Sequence, residues 1–389
     1  MNGISRVWGK LLTESAVPPA SNSHKGLWKI KQKENITLRI NLCRASSVLA
    51  VVFLATAMAV AGEHERNAFV LTSTNNVSGN DIVVFELNTE GTPSLSLVDM
   101  LPTGGNGGAG GNAGILQFKD DLGAVANYGS NSVSQLVRDD DIISIGGTIG
   151  LAPGCVNPDS VALTGKQLFV VGTNCAESHA WPSGHVDGTV VSLPDTSAAQ
   201  IAVGSHWAAV TLKSGSVLQL PLMSHGALSG TSTTITLPSV ANIVPFGEAF
   251  WGDILGFTPA HSTDTFAIVD ASRNVYPIPG LTFISGNAPC WVAKGPGSVW
   301  YTGNSPGHAI SIFFSDGQGG AFNKSIPLAG SPTDITVSRD MKWLAVIYTA
   351  GGFGYVEVFA IDAYGDLTPE ATSSAISGAA TFNGVAISQ

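Results

Sequence analysis

The chain has 389 residues, of which 44% are apolar and only 12% charged, with 46 glycines and 20 prolines. So little charge and so many turn formers argue against a helical protein and for a turn-rich β fold. The net charge of −10 repels phosphate backbones and anionic lipid, so nucleic acid and membrane surfaces are not expected partners.

Residues 48–61, VLAVVFLATAMAVA, follow Arg39 and Arg44 and end in the small-x-small triplet Ala59-Val60-Ala61. That pattern predicts a cleaved secretory signal, and its fourteen residues are short for a bilayer span; a retained anchor is the alternative. Residues 1–61 are therefore read as basic leader plus signal, and 62–389 as one domain. Removing the leader takes away eight Lys/Arg and two acids and leaves a net charge of −16. Asn76 and Asn323 begin N-x-S sequons that matter only in a host that glycosylates.

From Ala68 onward, AFVLTSTNN, IVVFEL and SLSLVDM read as three strands. Next comes a repeat: NPDSVALTGKQLFVVGTN from Asn157, NAPCWVAKGPGSVWYTGN from Asn287 and SPTDITVSRDMKWLAVIYTA from Ser331. Each is a strand, a polar turn and a second apolar strand. Pro158 lies 87 residues before Pro245, which precedes Pro289 by 44, which precedes Pro332 by 43. The double interval leaves room for a unit at AAQIAVG near Ala198, while NAGILQF at Asn112 and FNGVAIS at Phe382 extend the series in both directions. Seven first strands at this period predict an all-β, seven-bladed β-propeller of four-stranded blades. The chain ends on a first strand and starts on a second, so the C-terminal strand is expected to complete the first blade and close the ring.

In such a ring the loops from second to third and from fourth to first strands share one face. Reading GTNCAESHAWPSGHVDG as a second-to-third loop puts His179 and His185 on that face, with Glu177 and Asp187, and joins them to His261 and His308 from other blades. Histidine beside carboxylate suits proton transfer in opening or closing a lactone, and the same groups could hold a divalent metal. Solvated loop side chains are the plainer reading. Glu248, in a first strand, is a candidate base near the channel. Asp159 and Asp334 follow prolines at first-strand starts, where capping a turn is favoured over facing the channel mouth.

A turn centred on Gly165 pairs Leu163 with Leu168 and, carried outward, sets Cys155 opposite Cys175, which predicts a disulfide. Cys43 leaves with the signal, so Cys290 stays single, a packed repeat position with no histidine beside it in sequence. Gly303–Gly307 fits G-x-S-x-G and Gly105, Gly107 and Gly110 fit G-x-G-x-x-G, but both are followed by strand patterns where their functions need helices.

VPFGEAF, APCWVA, the glycine run LPTGGNGGAGGNAG and the tails VFELNTEGTPSL and VFAIDAYGDLTP resemble the seven-bladed propellers of the lactonase and 3-carboxymuconate cyclase type, including YVTN-repeat proteins. The resemblance spans Ala68 to Gln389. It implies action without a cofactor on a small lactone or organic acid, and with the signal segment the chain is expected to be a secreted monomer. The alternative is a non-catalytic propeller that binds a glycan, a cell-wall component or a protein. The mature chain has only Arg66, Arg138, Arg273 and Arg339 besides six lysines, too few cations at the expected site for a phosphorylated substrate.

Overall fold

The computed structural model describes residues 67–237, 244–260, 265–279, 288–378 and 381–389. The segment 1–61 read from sequence as leader and signal lies outside these residues, as does His261. The described residues form seven four-stranded antiparallel sheets, with a 3-10 turn at Tyr128–Ser130 and a 3-10 residue at Thr381 as their helical content.

Blade 1 contains β1 (Ala68–Ser73), β2 (Asp81–Asn88) and β3 (Ser94–Pro102), and blade 2 contains β4 (Leu116–Lys119), β5 (Leu122–Asn127), β6 (Ser132–Asp139) and β7 (Ile142–Gly150). Blade 3 is β8 (Pro158–Leu163), β9 (Gln167–Gly172), β10 (Cys175–Ala180) and β11 (Val191–Ser192); blade 4 is β12 (Ala198–Val203), β13 (Trp207–Leu212), β14 (Ser216–Pro221) and β15 (Thr233–Ile235). Blade 5 is β16 (Val244–Trp251), β17 (Ile254–Ala260), β18 (Thr265–Val269) and β19 (Val275–Pro279). Blade 6 is β20 (Pro289–Lys294), β21 (Val299–Asn304), β22 (Ala309–Ser315) and β23 (Gly320–Pro327). Blade 7 is β24 (Ser331–Val337), β25 (Trp343–Ala350), β26 (Phe353–Ile361) and β27 (Leu367–Thr372). The last strand, β28 (Asn383–Ser388), pairs antiparallel with β1 and supplies the missing inner strand of blade 1. Arg138 pins this closure, donating to the Asn67 carbonyl at 2.6 Å and to Ser388 Oγ at 3.2 Å, with its guanidinium over the Phe69 ring.

The core is a set of wedges between neighbouring blades, because strand alternation gives every blade two apolar faces. Trp300 and Tyr301 show this: adjacent on β21 and both fully buried, they face opposite ways. Trp300 packs on Phe266 of blade 5 at 5.5 Å, and the Tyr301 hydroxyl donates to the Gly365 carbonyl of blade 7 at 2.8 Å.

The inner strands share a defect. Pairing with the second strand skips Asp159, Ala199, Cys290 and Thr333, and in β16 it breaks between Pro245 and Glu248. Such a bulge turns a carbonyl out of the ladder. Threonines of the preceding blade accept the consequence: Thr211 Oγ1 donates to the Phe246 carbonyl at 2.6 Å and Thr258 Oγ1 to the Cys290 carbonyl at 2.7 Å. The repeat prolines sit at the strand starts just before, where a missing N–H costs the ladder least.

The Cys155–Cys175 disulfide is present, with a Cα separation of 5.6 Å. It ties the segment before β8 to the first residue of β10. Blade 3 has the shortest outer strand, two residues, and the adjacent segment 186–189 bridges instead to blade 4 through Gly188 and Leu228.

Candidate functional site

The end of the ring where first strands begin is termed upper, the other end lower. Strand direction then puts second-to-third loops above and third-to-fourth loops below. Blade 3 departs from the sequence-based expectation here. CAESHA is strand β10, only Thr173 and Asn174 turn the chain above it, and the long segment 181–190 is a third-to-fourth loop on the lower side.

The reason lies in two buried polar groups that satisfy each other. Glu177 and His179, two apart on β10, share a face and are fully buried. His179 Nε2 lies 2.8 Å from Glu177 Oε1 and its Nδ1 2.9 Å from the Gly184 carbonyl, while Glu177 Oε2 accepts the Ala152 N–H at 2.9 Å. Burial alone would depress the imidazole pKa, but the bonds to Glu177 and Gly184 outweigh it and raise the value. The pair is a structural fastener and lines neither the channel cavity below nor the one at the upper mouth. Glu177→Ala should therefore cost about 3–5 kcal/mol in denaturant unfolding by leaving His179 half-paired.

His185 and His308 do not converge with this pair or with each other. His185 is exposed on the lower loop, and Asp187 beside it accepts from Gln167 Nε2 at 2.6 Å and meets His225 at 3.3 Å. Those contacts, the Gln167 bond foremost, hold the Asp187 carboxyl below its ordinary range. His308 is exposed in the β21–β22 turn on the upper side, a blade ring away. Among the described residues the one grouping of potential metal ligands is Cys155, Cys175 and Glu177, whose sulfurs are committed to the disulfide.

Two acidic residues, Glu248 and Asp334, are among those lining a cavity in the lower half of the central channel. This cavity of about 240 Å³ is lined by inner strands of blades 2 to 7, with Glu248, Asp334, Gln200, Gln117 and Lys294 as its polar residues besides Thr336. Glu248 occupies the place that Val161, Ile201, Val292 and Ile335 hold in other blades. An apolar slot thus receives a carboxyl: Glu248 is 1% exposed, and neither side-chain oxygen has a hydrogen-bond partner. Burial raises its pKa well above the usual range, opposed only in part by the nearby amides of Ala202 and Thr211. Its own backbone N–H donates to Gln200 Oε1 at 2.7 Å, which fixes that side chain and leaves the Gln200 amide N–H groups for the cavity.

Asp334, 5% exposed, accepts the Ile335 N–H at 2.8 Å. Burial lifts its carboxyl to about 7 against the pull of the Ile335, Gly114 and Val385 amides. Of its two sequence-based placements, the channel replaces the turn cap as its main environment. Lys294 closes the lower rim, donating to the carbonyls of Gly295, Gly297 and Val299 between the rings of Trp251 and Trp300. Burial lowers its ammonium to about 8.

Asp159 is also buried and lifted to about 7, with Lys213 opposing, but it does not line this cavity. Cys290 is a buried free thiol whose pKa burial pushes up to about 11, so it stays protonated. Gly303–Gly307 is strand, turn and strand, and the glycine run ends in β4, so neither short motif has its helix. Instead the glycine run folds over the upper mouth. Asn75 Oδ1 accepts the Gly108 and Ala109 N–H groups at 2.9 and 3.1 Å, and a Cβ on Gly107 would lie 2.3 Å from the Asn75 carbonyl carbon.

No family model and no curated protein matches the sequence. Solved structures match its shape. A 6-phosphogluconolactonase-like protein from Bacteroides uniformis ATCC 8492 superposes with TM-score 0.61 at 15% identity, covering 83% of this chain and 99% of its own. A protein from Lactobacillus plantarum gives 0.58 at 15% identity, with 83% and 98% covered. A streptogramin B lyase gives 0.53 at 14%, with 68% and 84% covered. At these identities the likeness is one of fold.

Proposed function

We propose that this protein is an exported enzyme of the lactonase type, opening or closing an uncharged lactone ring in the lower channel. The carrying observation is that Glu248 and Asp334 line one cavity in surroundings that push the first carboxyl well above its ordinary range and put the second near neutrality. Two carboxyls so separated can serve as acid and base at the same pH.

In hydrolysis the Asp334 carboxylate takes a proton from water as its oxygen adds to the lactone carbonyl. The Gln200 and Gln117 amides receive the developing oxyanion. When the ring C–O bond breaks, Glu248 gives its proton to the leaving oxygen and a hydroxy acid departs. Cyclisation is the same path reversed. The cation inventory favours a substrate without phosphate: no described arginine lines the cavity, Arg138 is consumed by the ring closure, Arg339 pairs with Asp120, and Lys294 is engaged with carbonyls. Export is supported by the disulfide and the apolar segment at 48–61; no described helix is long and apolar enough to cross a membrane.

A panel of neutral lactones, followed by ring-opening titration, tests this reading. Glu248→Gln and Asp334→Asn should each lower kcat/KM by about 100-fold or more, whereas His185→Ala and His308→Ala should match wild type. The low-pH limb of the rate profile should fall near the Asp334 value of about 7. Turnover that survives both carboxyl variants removes the site, and a panel with no turnover removes the enzyme.

A further inference from the structure

The upper mouth holds a second cavity that shares no lining residue with the one below. It measures about 330 Å³ and is walled by the glycine loop at 108–111, by Asn75, Asn112 and Asn383, by Thr333 and Thr381, and by Trp291. That volume falls at the small end of small-molecule sites, about 300–1,000 Å³.

Trp291 is the feature that asks for an occupant. It is 8% exposed, its ring is braced edge-on by Phe246 at 5.8 Å, and its Nε1–H is buried without a partner among the described residues. Buried indole N–H groups almost always find an acceptor, and an orphan costs free energy unless something fills the gap. The surrounding polar groups are fixed yet not exhausted. Asn75 Nδ2 donates to the Ala109 carbonyl at 2.6 Å, Asn383 Nδ2 to Asn112 Oδ1 at 2.7 Å, and Asn112 Nδ2 to the Asp159 carbonyl. Asn383 Nδ2 also donates to the Asn112 carbonyl at 3.5 Å, while the Asn75 and Asn112 amides each keep a second N–H, and the Thr333 and Thr381 hydroxyls, which donate to the Ile347 and Thr74 carbonyls, keep lone pairs. None of the described lining residues carries a charge.

We infer that the upper mouth is a binding pocket for a neutral, hydroxyl-rich ring of monosaccharide size, with the Trp291 indole N–H donating to one of its oxygens. An apolar ring face, a buried donor, asparagine amides and threonine hydroxyls suit alternating hydroxyl groups and C–H surface. The absence of charge on the walls excludes an acid or a phosphate by desolvation cost. The pocket works independently of the lower carboxyls, so either site can stand without the other.

Calorimetric titration of the full chain with glucose, galactose, mannose and N-acetylglucosamine, each beside glucuronate and glucose 6-phosphate, tests the pocket. At least one neutral sugar should bind saturably, and both charged sugars should bind about tenfold more weakly or not at all. Trp291→Phe keeps the ring and removes the donor, and it should weaken binding about tenfold, as should Thr333→Val. Glu248→Gln should bind like wild type, which separates this pocket from the lactone site. The inference is overturned if no neutral sugar binds, if charged sugars bind as well as neutral ones, or if Trp291→Phe binds undiminished. Should Trp291→Phe fail to fold, undiminished binding by Thr333→Val overturns it equally.

Discussion

Asp334→Asn and Glu248→Gln are expected to make the protein more stable at neutral pH, the opposite of their expected effect on the proposed lactone turnover. Asp334 has a folded pKa of about 7 against an ordinary 3.8. Between those values the native state holds a proton that the unfolded chain releases, so stability falls as pH rises through that window. By pH 7 the loss is on the order of 4 kcal/mol, at ~1.4 kcal/mol per pH unit. Glu248 acts in the same direction, starting from its ordinary value of 4.5. Replacing each acid by its amide removes the linked proton, so wild type should lose stability from pH 4 to 8 and the double variant should lose markedly less. Thermal melts across that range are the measurement. Parallel pH curves for wild type and double variant would place both carboxyls in water instead of in the channel wall.

Deleting residues 382–389 should abolish the folded state. Every residue of β28 is buried, and Phe382, Val385 and Ile387 fill the wedge between blades 7 and 1. At about 1.5–3 kcal/mol for each large apolar side chain, their loss alone rivals the 5–15 kcal/mol stability of a typical protein. The deletion also strips the Ser388 contact from Arg138 and leaves β1 as an open edge. Circular dichroism and size-exclusion chromatography should show an aggregated or unfolded chain, and a synthetic peptide of residues 381–389 should restore part of the native signal. A truncated chain that melts within a few degrees of wild type would show that the ring does not depend on its last strand.

The blade count, the ring closure and the disulfide were legible because each rests on features the chain repeats or pairs at fixed spacing. Leu163 does pair with Leu168, and from that register the cysteines follow. Blade 3 misled because CAESHA has polar residues at alternate positions that neutralise one another inside the fold, which in sequence looks like a loop. The lower cavity was hidden for a different reason. Skipping one residue after each repeat proline reverses the facing of everything that follows, so Asp334 could be placed in the channel only once the pairing of β24 with β25 was known. Glu248 was visible as a first-strand acid, but its isolation depends on the valines and isoleucines that hold its place in neighbouring blades.

The two-residue outer strand of blade 3 has a consequence for how the ring opens. Leu228 of blade 4 receives the Thr189 N–H at 3.0 Å and gives its own N–H to Ser178 Oγ at 3.0 Å, so the flank of β10 is sealed by a neighbour. Asp187 and His225 extend the same seam. Opening of the β10 flank therefore requires the segment around Leu228 to release, which couples local opening of blade 3 to blade 4.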